Sequence, residues 1–176
     1  MTNHRDKDPP VELSSPACSM TEAEDVYMGY AGKEELNAFL NELLEAERAG
    51  VRVALDSAKD APAGPLRALL DDVRRDEARW CAMLLRHLKA RGETPSPRIG
   101  AFYDKAMAIV ELGERLRFLN RGQGWVARKL REILPRVRDD KLHADLGEML
   151  CLHEVNIART NDVTGLRPAA RERERE

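Results

Sequence analysis

The chain is poor in the residues that staple, span or stack. Its three cysteines, Cys18, Cys81 and Cys151, are widely spaced and form no CxxC pair. That excludes a disulfide framework and a cysteine-rich zinc site, and suits reduced thiols in a cytoplasmic protein. Aromatic residues make up 5% of the sequence and β-branched runs are few, so little favours a sheet. No apolar run approaches the roughly 18–20 residues of a membrane span. The opening MTNHRDKDPP lacks the apolar stretch of a signal peptide. Neither sign of charge dominates: 29 Lys and Arg stand against 31 Asp and Glu, a net charge of −2. A global field that draws nucleic acid or an anionic membrane is therefore absent. No glycine-rich phosphate loop and no Ser/His/Asp set is present.

What the chain does have is helix-forming. Its 176 residues are 43% hydrophobic and 34% charged, with 22 Arg against 7 Lys, and fit one domain with tails. Residues 1–30, with Pro9, Pro10 and Pro16 and no helical period, read as a disordered tail. Met20 and Met28 lie in that tail as alternative starts to Met1. Residues 164–176, ending in RPAARERERE, read as a charged disordered tail. Residues 31–163 remain as the folded unit.

Four amphipathic segments divide that unit. They run over about 33–61, 66–90, 112–134 and 139–163. Ala61-Pro62-Ala63-Gly64-Pro65 ends the first, Arg91-Gly92 the second and Pro135 the third, while Asp139 and Asp140 suit the start of the fourth. The first and third connections are about five residues long and make antiparallel hairpins. The second, 92–111, is long enough to cross a bundle and contains a short helical piece, AFYDKAMAIV. Two hairpins joined by a long crossover is the expected all-α plan. A five-helix up-down bundle is the alternative.

Each apolar seam is interrupted once. Glu47, Glu77, Gln123 and His153 stand where an apolar residue is expected. Glu47 and Glu77 are 30 residues apart about a turn near Pro62, and Gln123 and His153 are 30 apart about a turn near Arg138. Residues equidistant from a hairpin turn share one height, here about 22 Å from each turn. One mid-height polar layer is predicted. A buried carboxylate in it needs a metal ion, a hydrogen-bond network or a proton.

The segments LLEAERAG, RRDEARWC, LNRGQGWVARKL and LGEMLCLHEVNI carry a resemblance. Over about residues 33–163 the chain resembles the ferritin-like superfamily of ferritin, rubrerythrin and related carboxylate-bridged di-iron proteins, and in particular an uncharacterised bacterial branch with a degenerate ligand set. The resemblance implies a ferritin-like four-helix bundle in which Glu47 and Glu77 match two metal ligands and His153 a third. Trp80, Gln123 and Leu150 replace the other three. That loss argues against a di-iron centre and leaves a single Fe, Mn or Zn ion on Glu47, Glu77 and His153, with Gln123 and Cys81 as further candidates.

Two classes of function follow. One is metal binding or sensing, including a relict oxidoreductase. The other is a metal-free helical module whose polar layer fixes register and which acts as a homodimer. Redox sensing through Cys81 is a third reading. Whether the chain is an enzyme, and on what small molecule, is not written in these motifs. Gly122 and Gly124 are read as close-packing positions, against Trp80 or a partner subunit. The basic stretch Arg121, Arg128, Lys129, Arg131, Arg136 and Arg138 reads as a solvated face paired with Glu132, Asp139 and Asp140. His143 is expected to pair with Asp145, and His87 to be peripheral.

Overall fold

The computed structural model describes residues 25–165, and these contain helices and no strand. Helix α1 spans Lys33–Asp60, α2 Pro65–Ala90, α3 Phe102–Met107, α4 Leu112–Ile133 and α5 Asp140–Thr164. Of the tails expected at 1–30 and 164–176, residues 1–24 (with Cys18) and 166–176 lie outside the described residues. Residues 25–27 form one helical turn, and Asp25 pairs with Arg138.

The punctuation acts as its chemistry requires. Gly64, at φ 131°, makes the turn that only glycine adopts freely, and Pro65 then opens α2. Gly92, at φ 72°, lets the chain fold back, so that the Glu93 N–H reaches the Leu88 carbonyl at 2.9 Å. The Glu111 carboxylate accepts from the Gly113 and Glu114 N–H groups at the start of α4, and Asp139 accepts from Leu142 N–H at 2.7 Å at the start of α5. Pro135 does not stop the third segment abruptly: the chain tightens into a 3₁₀ turn over Leu134–Arg136.

Side-chain pairs give the helix directions. Glu35 meets Arg136, Glu42 meets Lys129 and Asp60 meets Arg115, so α1 and α4 run antiparallel. Asp72 meets Arg159 and Arg79 meets Glu148, so α2 and α5 do as well. With α1–α2 and α4–α5 each closed by a short turn, α2 and α4 are parallel. The connection 91–111 must therefore travel the length of α4, about 33 Å for 22 residues. In the five-helix up-down alternative α3 would itself have to span the bundle, and at 6 residues, about 9 Å, it does not.

Two apolar cores result. One holds Leu40, Leu43, Leu84, Leu130 and Leu146, the other Val53, Leu70, Val73, Leu116 and Leu119. Helices α1, α2 and α4 each pass from one core to the other across residues 47, 77 and 123 respectively. On α5 the buried stripe continues past His153 through Asn156 and Thr160, while the expected Ile157 is only half-buried.

Candidate functional site

The break between the cores is the predicted polar layer. Glu47, Glu77, Gln123 and His153 are all at most 5% exposed. The layer resolves into two pairs. His153 Nε2 lies 3.3 Å from Glu47 Oε1, and Gln123 Nε2 donates to Glu77 Oε1. The other imidazole nitrogen, Nδ1, lies 2.9 Å from the Met149 carbonyl oxygen, which only accepts; Nδ1 therefore carries a proton, and Nε2 faces Glu47. Gly50 makes room for Glu77: a Cβ there would sit 1.8 Å from Glu77 Oε2.

The pairs leave acceptors over. Glu47 Oε2, Glu77 Oε2 and Gln123 Oε1 are buried and have no hydrogen-bond partner in the protein. Burial, then the charges of Glu47 and Asp76, push the Glu77 carboxyl well above the usual carboxylate range, and the Gln123 hydrogen bond only partly opposes them. Burial disfavours a charged His153, but the charge and hydrogen bond of Glu47 outweigh it and raise the imidazole pKa. Burial, then Glu47 and Glu77, push the Cys81 thiol up to about 12. A thiol held so far up is poorly ionised near neutral pH and gives the redox-sensing reading no support.

All four layer residues line a cavity of about 420 Å³ between α1 and α4. Its walls are apolar: Ala46, Phe102, Phe118, Leu119, Trp125 and Val126. The crossover roofs it. Ser96 Oγ and Arg98 Nε donate to Glu45 Oε1, and Gly100 N–H donates to the Glu45 carbonyl at 3.2 Å, which ties this strap to α1. Phe102 then stacks on Phe118 at 4.7 Å between ring centroids. Exposed Glu42 and Arg121 also line the cavity, where it meets solvent. Cys81 is not among the lining residues.

The donor set falls short of a ready metal cage. Among the described residues, no three His, Cys, Asp or Glu side chains are arranged to hold a metal ion. Trp80, in place of the histidine that the resemblance calls for, is buried with its indole N–H unpartnered and Arg79 over its ring. The carboxylate-bridged di-iron arrangement therefore does not fit this layer. The layer instead leaves three buried oxygens, on Glu47, Glu77 and Gln123, without a hydrogen-bond partner in the protein.

Other sequence expectations are corrected here. Gly122 packs against Phe102, not Trp80, and a Cβ at Gly122 would lie 2.6 Å from that ring; Gly124 has open space around it. The helix runs unbroken through both. The basic stretch is paired, but across helices: Lys129 with Glu42, Arg131 with Glu154, Arg136 with Glu35 and Arg138 with Asp25. Asp145 meets His87 Nε2 at 2.7 Å, and His143 is exposed. The cavity walls escaped sequence reasoning, because Phe102 reaches α4 only through the path of the crossover. The one signal for them was Gly122.

Residues 34–162 match the family described as a domain of unknown function, DUF6306, and the chain belongs to that family. The fold is similar to the crystal structure of a conserved hypothetical protein, rv2844, from Mycobacterium tuberculosis. The TM-score is 0.65 at 22% identity, over 76% of this chain and 93% of that one. No curated protein is significantly similar. Among the described residues, no helix is long and apolar enough to cross a membrane.

Proposed function

We propose that this protein is a ferritin-like bundle that binds a cation at its mid-height layer. The antiparallel α1–α4 and α2–α5 contacts and the full-length crossover support the ferritin-like plan. One observation carries the binding reading: three acceptor oxygens, on Glu47, Glu77 and Gln123, are buried without partners in the residues that line one cavity. An unpaired buried acceptor costs about 1–3 kcal/mol and a buried charge more. A chain held together by packing alone gains nothing from two such carboxylates.

The occupant suggested by the ferritin-like resemblance is a single Fe, Mn or Zn ion on Glu47, Glu77 and His153. In that role the ion would neutralise both carboxylates, and the Nδ1–Met149 bond would orient the imidazole. The side chains do not stand around a common point, so the ion would assemble its own ligands. The test is elemental analysis of protein purified without a His-tag, followed by thermal melts with Fe(II), Mn(II) and Zn(II). A bound ion raises the melting temperature of the wild type and leaves Glu77→Ala unmoved.

A second reading is favoured by the Glu47–His153 and Glu77–Gln123 pairs, which already join all four helices. In it the layer fixes register in a metal-free helical module that acts as a homodimer. No ion then shifts the melt, and sedimentation gives twice the chain mass.

A further inference from the structure

The cavity above the layer carries an inference about what the cation is. We propose that it binds an organic ammonium ligand with an apolar body, the ammonium at the end of the cavity formed by Glu47, Glu77 and Gln123 and the body along the apolar walls that include Phe118 and Trp125. This rests on the reading of the layer as a cation site and names the chemical class that fills it.

Three observations converge on that class. The first is the type of the orphaned atoms. Glu47 Oε2, Glu77 Oε2 and Gln123 Oε1 are all acceptors, and two belong to carboxyl groups. A primary ammonium brings three N–H donors and one positive charge in a single head. A neutral hydroxyl brings one donor and no charge. A carboxylate brings neither, and would face two acids.

The second is the cavity itself. About 420 Å³ is far more than one metal ion fills and lies within the roughly 300–1,000 Å³ of small-molecule sites. Its lining is built for an apolar body. Two of the chain's three phenylalanines and one of its two tryptophans line it, although aromatics are only 5% of the sequence. Aromatic faces also attract a cation close by.

The third is that the polar groups at the mouth are already engaged. Glu45 is held by Ser96 and Arg98, Glu42 by Lys129, and Arg121 lies over the Phe118 ring at 5.3 Å. The charged head of a ligand therefore gains most at the deep end. The shape asks for a molecule with one polar terminus and an apolar remainder.

The test compares three ligands with one body: 2-naphthylmethylamine, charged at neutral pH, 2-naphthylmethanol, neutral, and 2-naphthoate, anionic. Each is titrated into the full chain by isothermal calorimetry at pH 7, with circular dichroism to confirm that every variant is folded. The amine is expected to bind at least about tenfold more tightly than the alcohol, as a charge-assisted contact allows, and the acid more weakly still. Glu77→Gln should remove the preference for the amine while keeping binding of the alcohol. Phe118→Ala should weaken amine and alcohol alike. If the three ligands bind equally, the cavity is merely apolar and the proposal is overturned. If none binds while Zn(II) or Mn(II) raises the melt, the layer is a metal site and the organic ligand falls alone. If neither ligands nor metals act, the cation reading falls with it. Wild-type titrations alone separate these outcomes, so an unfolded variant does not block the test.

Discussion

Two of the polar sites buried among the described residues are built to different standards. At the far end of α4, Arg115 is 5% exposed, and its guanidinium meets Asp60 at 2.7 Å, the Ile109 carbonyl at 2.9 Å and the Val110 carbonyl at 3.5 Å. Every contact there opposes a donor to an acceptor, and the group clamps the crossover to the bundle end. The mid-height layer is buried as deeply, yet three acceptors go unpaired and one carboxyl is held above its normal range. Under the proposed function, the first site serves folding alone, whereas the second gives up stability for a ligand. The comparison predicts that removing the donor at the first site lowers stability, whereas replacing the buried acid at the second by a neutral isostere raises it.

The largest effect belongs to Arg115. Arg115→Met leaves two carbonyls and the end of the crossover without their donor and should cost about 2–4 kcal/mol, read as a lower midpoint in urea. If the loss is under about 0.5 kcal/mol, the clamp is not the settled site described. Gly50→Ala comes next. Its Cβ collides with Glu77, so a loss of about 1–3 kcal/mol is expected despite alanine's better helix propensity. In a Glu77→Ala background the same change should be neutral or stabilising, and a double-mutant cycle reads that coupling.

Acidity sharpens the contrast further. The Glu77 carboxyl is raised above 4.5 and His153 above 6.5. The folded state therefore holds protons that the unfolded chain releases, and stability falls with rising pH. The Glu77 contribution is lost from about pH 4.5 upward through its raised pKa; that of His153 is complete below about pH 6.5 and lost as pH rises through its own. Glu45, Asp56 and Asp72, all lowered by hydrogen-bonded partners, work the other way and lose their contribution in acid. Thermal melts from pH 5 to 9 should therefore fall for the wild type and fall less for Glu77→Gln. A flat wild-type profile would mean that the layer is not titrating. The smallest effect is on the surface: Arg131→Ala, which removes an exposed pair with Glu154, should change stability by no more than about 0.5 kcal/mol.

Much of this was legible in sequence, and the pattern of misses has a physical cause. Helix limits came from proline, glycine and aspartate, whose effects are local. The polar layer came from seam period and hairpin symmetry, which hold because both turns are short. Asn156 and Thr160 were missed because a stripe 3–4 residues wide drifts past His153 without an apolar residue to mark it. Arg115 and Phe102 were missed because each acts across the crossover, whose path no periodicity encodes. The His87–Asp145 pair crosses between α2 and α5, whereas sequence proximity pointed to His143.

Under the proposed function the mid-height layer is short of a cation. The most direct measurement is the melting temperature of metal-free wild type and Glu77→Gln, each with and without added cation, taken as Zn(II), Mn(II) and 2-naphthylmethylamine in turn. With no cation the variant should melt higher than the wild type by a few degrees, since it loses a buried acid but keeps the shape. At least one cation should then raise the wild type and leave the variant where it was. A variant that melts lower than the wild type, with no cation moving either, would show that Glu77 serves the fold, and would contradict the account.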